Sequence, residues 1–213
     1  MHAAILPVKN LEHAKARLTP HFTAAQRTEL AAALLEDALD LAMQTCFFRW
    51  WVVSDDPQVI ERAHSKGLGT VRDTGAGLNA ALKTALGEVA AGGAESATVL
   101  PSDVPLAAPG DLADVLDTGA TSDVVLVPSG QDGGTNALYM APVGMLEPAF
   151  GPGSFQAHLE QAAALGLRCS ILSLPRLALD IDTIEDVDRF LEASHGCSHT
   201  DEVLRRLRSL TTG

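Results

Sequence analysis

Cysteine, lysine and aromatic residues are all scarce in this chain, and it has no long apolar run. The three cysteines, Cys46, Cys169 and Cys197, are too few and too scattered to frame a disulfide scaffold. A reducing compartment, the cytoplasm, is the expected setting. His195, Cys197 and His199 alternate near the C-terminus, but zinc ligands are spaced differently. No apolar stretch reaches the roughly 18 residues of a membrane span, so no membrane partner is expected. The segment from Met1 to Pro7 lacks a charged leader region and is soon broken by proline. It reads as a first strand rather than a signal peptide. Aromatics make up only 4%, which points to an aliphatic core beneath Ala-rich helices and away from a β-sandwich.

Positive charge is thin as well. Fifteen Lys and Arg face 27 Asp and Glu, a net charge of −12. That excludes a nucleic-acid surface, whose footprint would be basic. A small anionic substrate would need a local concentration of cations. Two of the lysines, Lys9 and Lys15, lie close together near the N-terminus, followed by Arg17.

With 213 residues, 46% of them hydrophobic, the chain can build one sizeable core. We expect one domain over residues 1–193, then a linker and short helix over 194–213. Strands and helices alternate. Strands are expected at 3–7, 48–53, 70–72, 97–100, 123–128, 137–141, 169–174 and 178–182. Helices are expected at 23–44, 57–65, 78–91, 109–116, 155–165, 184–193 and 200–210. This pattern predicts an α/β fold, a three-layer α/β/α sandwich with a mostly parallel sheet.

In such sheets ligands sit beyond the carboxyl ends of the strands. The run Leu100-Pro101-Ser102-Asp103-Val104-Pro105-Leu106 follows a buried strand and holds Asp103 between two prolines. Asp103 could hold a metal ion or a ligand hydroxyl, or simply cap a turn. A second acidic pair, Asp180 and Asp182, stands in Leu179-Asp180-Ile181-Asp182-Thr183. Two residues apart on an extended segment, the pair would point to one side. Three carboxylates at two strand ends can hold magnesium, one ion or, as we expect, two, because magnesium prefers oxygen ligands and bridges phosphates. That suits displacement at phosphorus.

After the first strand come Lys9, Lys15 and Arg17, without the glycines and Lys-Ser/Thr pair of a Walker loop. The segment is either a phosphate grip by side-chain charge or a solvated basic loop. Gly75-Ala76-Gly77-Leu78-Asn79 leads into a helix, and Asn79 could read a base edge, or the stretch could be an ordinary glycine turn. Gly151-Pro152-Gly153-Ser154 opens another helix, with Ser154 as anion contact or plain N-cap.

Taken in order, Pro7-Val8-Lys9, Ala14-Lys15-Ala16-Arg17-Leu18, Gly77-Leu78-Asn79, the Asp103 run, Asp132-Gly133-Gly134-Thr135-Asn136-Ala137-Leu138, Phe150-Gly151 with Gly153-Ser154-Phe155, and Leu179 to Thr183 resemble the CofC/FbiD family. These are guanylyltransferases of coenzyme F(420) biosynthesis. The resemblance spans roughly residues 3–190. It implies a GT-A-like nucleotidyltransferase fold that joins GTP to a phosphorylated three-carbon acid and releases pyrophosphate. By position, Asp103, Asp180 and Asp182 would be magnesium ligands, and Thr135, Gly151 and Ser154 would hold the acid. Lys9, Lys15 and Arg17 would hold the triphosphate, while Leu78 and Asn79 would meet the guanine. Asp103, Lys15 and Lys9 would carry catalysis. Phosphoenolpyruvate, 2-phospho-L-lactate and 3-phosphoglycerate are the candidate acceptors, the first preferred.

Other classes compete. A molybdopterin guanylyl- or cytidylyltransferase would open with a Gly-rich loop where Pro7-Val8-Lys9 stands. A GT-A glycosyltransferase would use a sugar nucleotide and release no pyrophosphate. A non-catalytic nucleotide-binding regulator would have no use for three aligned carboxylates.

Overall fold

The computed structural model describes residues 1–130 and 133–211. Gln131 and Asp132, the latter part of one motif above, lie outside the described residues, as do Thr212 and Gly213. Seven strands form one sheet: β1 (His2–Pro7), β2 (Arg49–Ser54), β3 (Gly69–Arg72), β4 (Ser96–Val99), β5 (Val124–Pro128), β6 (Thr135–Met140) and β7 (Cys169–Ile171). Their order is β3-β2-β1-β4-β6-β5-β7. All pairings are parallel except those of β6, which runs antiparallel between β4 and β5.

The central strands are buried on both faces, so their sequences are mainly apolar, with Ser96 and Thr98 of β4 and Thr135 and Asn136 of β6 as buried polar members. Alternate residues serve opposite layers. Ala4 and Leu6 of β1, with Val125 and Val127 of β5, join one core cluster. Ala3 and Ile5, with Val124 and Leu126, join the other. The first layer takes α1 (Ala24–Gln44), α2 (Pro57–Ser65) and α4 (Pro109–Gly119) through Leu35, Leu39, Val59 and Leu112. The second takes α3 (Leu78–Ala91) and α5 (Ser154–Ala164) through Leu82, Leu86 and Leu159.

Helix starts follow their chemistry. Thr23 caps α1, accepting from Gln26 N–H while the Gln26 side chain returns to Thr23 N–H. Asp56 caps α2, and Pro57 takes its first position. Ser154 is not the cap of α5. That position belongs to Gly153, whose φ of 73° lies in the left-handed region open to glycine.

Two expectations change. Residues 178–182 form no strand: the sheet ends at β7, and the segment joins no ladder beside it. The segment is pinned singly: Ile181 N–H donates to the Asp103 carbonyl, Gly130 N–H to that of Ala178. The C-terminal helix is longer than expected and does not stand apart from the domain. Helix α7 (His199–Thr211) joins α6 (Ile184–Ala193), and its Leu204 and Leu207 enter a third apolar cluster with Leu30, Leu34, Ile181 and Phe190. Leu18 and Phe22, from the segment after β1, pack there too. Among the described residues no helix is long and apolar enough to cross a membrane.

Candidate functional site

Strand direction decides which loops meet. The loops after β1, β3 and β4 leave the carboxyl edge of the parallel strands. Because β6 is antiparallel, its first residue, Thr135, reaches that same edge, pairing across from Pro128 at the end of β5. Lys15, Gly77, Asp103 and Thr135 are therefore brought to one rim by topology alone.

At its centre is Lys15. Its ammonium donates to Asp103 Oδ2 at 2.8 Å and to Asp182 Oδ1 at 3.2 Å. The side chain is only 7% exposed. Burial by itself would lower its pKa, but the two carboxylates outweigh burial and hold it above the ordinary lysine value. Burial likewise pushes Asp103 upward, and Lys15 overrides it, leaving Asp103 below the usual carboxylate range. Arg17, on the exposed side, donates to Asp182 Oδ2 at 3.2 Å. Among the described residues Lys15 alone of the non-glycine residues has positive φ, at 55°. Such a conformation costs energy and persists where surrounding contacts enforce it, often at functional sites. Here two carboxylates and a following 3-10 turn (Ala16–Leu18) enforce it. Lys9 is exposed, makes no ion pair among the described residues, and its charge reaches Asp103.

Among the described residues Asp180 has no cationic partner. It accepts from Ser129 Oγ at 3.1 Å and Asn136 Nδ2 at 2.9 Å. Burial, reinforced by the charges of Asp103 and Asp182, raises its pKa despite those bonds. The three carboxylates thus sense one another. Among the described residues no three acidic, histidine or cysteine groups are drawn tight enough to hold an ion. Lys15 stands between Asp103 and Asp182 instead. The oxygen-only donor set, with Asp180 charge-deficient, still suits a hard divalent cation.

Beside the carboxylates lies a second polar group. Thr135 and Ser154 are bonded directly, Ser154 Oγ donating to Thr135 Oγ1 at 3.2 Å. Both are nearly closed over, at 3% and 2% exposure, beneath the exposed Gly151–Gly153 turn. The backbone N–H groups expected to be free at this helix start are partly used: Ser154 N–H donates to Gly151 O, and Phe155 N–H to Gly133 O. Adjacent residues of β6 face opposite ways, so Thr135 serves this group while Asn136 serves Asp180.

Asn79 departs from expectation. Its Nδ2 donates to Phe150 O at 3.1 Å, and its Oδ1 accepts from Phe150 N–H at 2.8 Å. One amide hydrogen and one lone pair remain, so it is foremost a clasp between the Gly77-Leu78 loop and the segment entering Gly151. Leu78 leans on the second core cluster.

Sequence reading missed several supports. Asp56 accepts from Leu11 N–H at 3.1 Å and so ties down the Lys9 loop. Arg176 forms a two-pronged ion pair with Asp111, anchoring the approach to Asp180. His158, wholly buried, contacts Thr135. Its position one helical turn after Ser154 was the available signal. A cavity of about 830 Å³ lies elsewhere, between α1 and α7, lined by Asp37, Asp40, His199 and Arg205 among others.

Comparison with known proteins bears on the chain as a whole. The family model described as "Guanylyl transferase CofC like" matches residues 2–211. A phosphoenolpyruvate guanylyltransferase of Rubrobacter xylanophilus is 38% identical, over 92% of this chain and 96% of its own. A 2-phospho-L-lactate guanylyltransferase of Methanothermobacter thermautotrophicus is 36% identical, over 96% and 90%. A 3-phospho-D-glycerate guanylyltransferase of Phenylobacterium zucineum is 36% identical, over 98% of each. Among solved structures, a Desulfovibrio desulfuricans protein assigned as a nucleotide-diphospho-sugar transferase superposes with a TM-score of 0.80 at 17% identity, covering 99% and 96%. A Mycobacterium tuberculosis protein crystallised with manganese gives 0.58 at 18%, covering 91% and 98%. The structural likenesses bear out the nucleotidyltransferase fold. With a family match over nearly its whole length, and relatives well above 30% identity, this chain belongs to the CofC-like guanylyl transferase family.

Proposed function

We propose that the protein transfers GMP from GTP to the phosphate of a phosphorylated three-carbon acid, phosphoenolpyruvate first among them, releasing pyrophosphate. The observation that carries this reading is Lys15, held in a strained backbone with its ammonium between Asp103 and Asp182. A buried cation flanked by carboxylates suits a site where phosphate charge and metal charge are exchanged. As the family resemblance implies, the step belongs to coenzyme F(420) assembly.

Lys9, exposed and without an ion-pair partner among the described residues, is the first contact for the triphosphate, with Arg17 beside it. Lys15 then neutralises charge near the α-phosphorus, where it builds up. Thr135, Gly151 and Ser154 hold the acid, and Leu78 supplies apolar contact to the base. A phosphate oxygen of the acid bonds to the α-phosphorus as the bond to the β-phosphate oxygen breaks, and pyrophosphate departs with that electron pair. The attacking phosphate has a second pKa near ~6 and is already largely dianionic at neutral pH. This chain therefore needs no general base, and positioning with charge neutralisation carries the rate. Asp103, Asp180 and Asp182 would hold magnesium, which when bound supplies Lewis-acid stabilisation of the phosphoryl oxygens.

The test is pyrophosphate release from GTP and magnesium with each of the three acids, against ATP and CTP controls. Release with GTP and one acid is the expected result. GTP binding without release from any acid would sink the proposal and leave a regulator.

A further inference from the structure

His158 is the most enclosed polar side chain near the site, at 0% exposure, and the mechanism above gives it no part. Its two ring nitrogens have distinct partners. Ala149 N–H donates to Nε2 at 3.1 Å. A backbone amide can only donate, so Nε2 carries a lone pair and the ring is neither the Nε2–H tautomer nor the cation. The ring proton is on Nδ1, which lies 3.0 Å from Thr135 Oγ1 and therefore donates to it. Burial favours the same neutral state, lowering the pKa to about 4.

The consequence falls on Thr135. Its oxygen accepts from His158 Nδ1–H and from Ser154 Oγ–H, which fills both lone pairs. Its own proton then points away from both and has no acceptor among the described residues. A carboxylate or phosphate accepts only, so a hydroxyl fixed as donor is what an anionic acid requires. The chain of donors runs one way, from the Ala149 amide through the imidazole to the threonine proton. The ring is also held sterically. Phe150 packs on it edge to face, centroids 5.1 Å apart, and Phe150 is itself clasped by Asn79. One turn further along α5, Gln161 bonds both the N–H and the carbonyl of Glu147.

We propose that His158, fixed as the Nδ1–H tautomer, is a positioning residue that aims the Thr135 hydroxyl proton at the carboxylate or phosphate of the acid substrate. This rests on the reading of Thr135 and Ser154 as the acid subsite.

Two variants separate the ring's two bonds. Asn places an amide N–H near Nδ1 and keeps the donor to Thr135. Gln places an amide oxygen near Nε2 and keeps only the acceptor for Ala149. In steady-state pyrophosphate release, His158→Gln should raise the acid KM about tenfold, with kcat and the GTP KM within about twofold. His158→Asn should recover the acid KM to within about threefold of the parent. In a Thr135→Val background His158→Gln should add nothing, since the two act as one unit. Equal KM increases for acid and GTP, or equal losses in both His158 variants, would mark a merely structural role and overturn the inference. If His158→Gln does not fold, long-range ¹⁵N spectra of the parent enzyme read the tautomer directly. Protonated Nδ1 supports the assignment, and protonated Nε2 or an imidazolium overturns it. A parent enzyme inert towards every acid, or Thr135→Val with an unchanged acid KM, removes the subsite reading and the inference with it. A Thr135 effect without a His158 effect removes the inference alone.

Discussion

A single side chain, Lys15, joins the backbone, the carboxylates and the proposed chemistry. Replacing it with Ala leaves Asp103 without its counter-charge and Asp182 with only the exposed Arg17, and should cut turnover about 10²- to 10³-fold, as loss of one preorganised electrostatic group does. Lys15→Arg should not restore it, because the planar fork does not fit where a compact ammonium is 7% exposed. Backbone strain gives a separate readout. At φ 55° a Cβ costs about 1 kcal/mol, so Lys15→Gly should be more stable than Lys15→Ala by about that amount in urea unfolding. Equal stabilities would show that the strain is absent in solution. Histidine 158 predicts a pH effect of definite sign. Its folded pKa, about 4, lies below its unfolded value near 6.5, so the unfolded chain binds the extra proton between those pH values. Stability from the neutral ring is full above pH ~6.5 and falls progressively towards pH ~4, by about 3 kcal/mol in all. Denaturant curves for parent and His158→Gln should therefore converge as pH drops, and parallel curves would contradict the assignment. Lys9, Lys15 and Arg17 could be picked out in the sequence because basic residues are scarce, and Asp103 because it follows a buried strand between two prolines. His158 was far less visible: its place one turn after Ser154 was a signal, but a histidine inside an Ala-rich helix reads as filler until Thr135 is seen beside it.

Among the elements, helices were far more legible than the acidic segment. Helices α2 and α3 have the predicted bounds, because proline, glycine and apolar periodicity all agree there. Residues 178–182 alternate like a strand, but strandhood needs a ladder partner, and nothing local reveals that the segment is held by single bonds to Asp103 and Gly130 instead. The segment depends instead on close backbone approach. Gly130 is its main support: a Cβ there would lie 2.9 Å from the Ala178 carbonyl oxygen, inside contact distance. Gly130 N–H also donates to that oxygen at 2.8 Å. Gly130→Ala should therefore push residues 178–180 outwards and displace Asp180 from Asn136. We expect the magnesium concentration for half-maximal rate to rise about tenfold, the scale of lost support around metal ligands, with the acid KM little changed. An unchanged magnesium requirement would mean that the loop absorbs the methyl group, or that Asp180 does not serve the metal. Asn79 teaches the same lesson about spacing. Its place at a helix start suggested a base contact, yet its amide is turned onto Phe150, seventy-one residues away.

For the molecule as a whole, a net charge of −12 and a cluster of carboxylates raise the question of how the site survives without metal. Lys15 answers most of it. Its ammonium balances Asp103 and Asp182, while Asn136 and Ser129 hold Asp180 by neutral hydrogen bonds. The surrounding packing is apolar: both layers of the sheet are, and so is the third cluster, where Leu18 and Ile181 anchor the site segments against α1, α6 and α7. On the proposed reading the fold would then stand without the metal, unlike in small metal-stapled domains where binding energy is folding energy. Chelation by EDTA should abolish pyrophosphate release completely yet lower the melting temperature by no more than about 4 °C, the equivalent of roughly 1 kcal/mol in a domain this size. Adding magnesium back should restore turnover at once, without a refolding lag. A collapse of the melting temperature on chelation would mean that the three carboxylates require a cation beyond Lys15 to stay folded. The carboxylate cluster would then be a structural metal centre first and a catalytic one second.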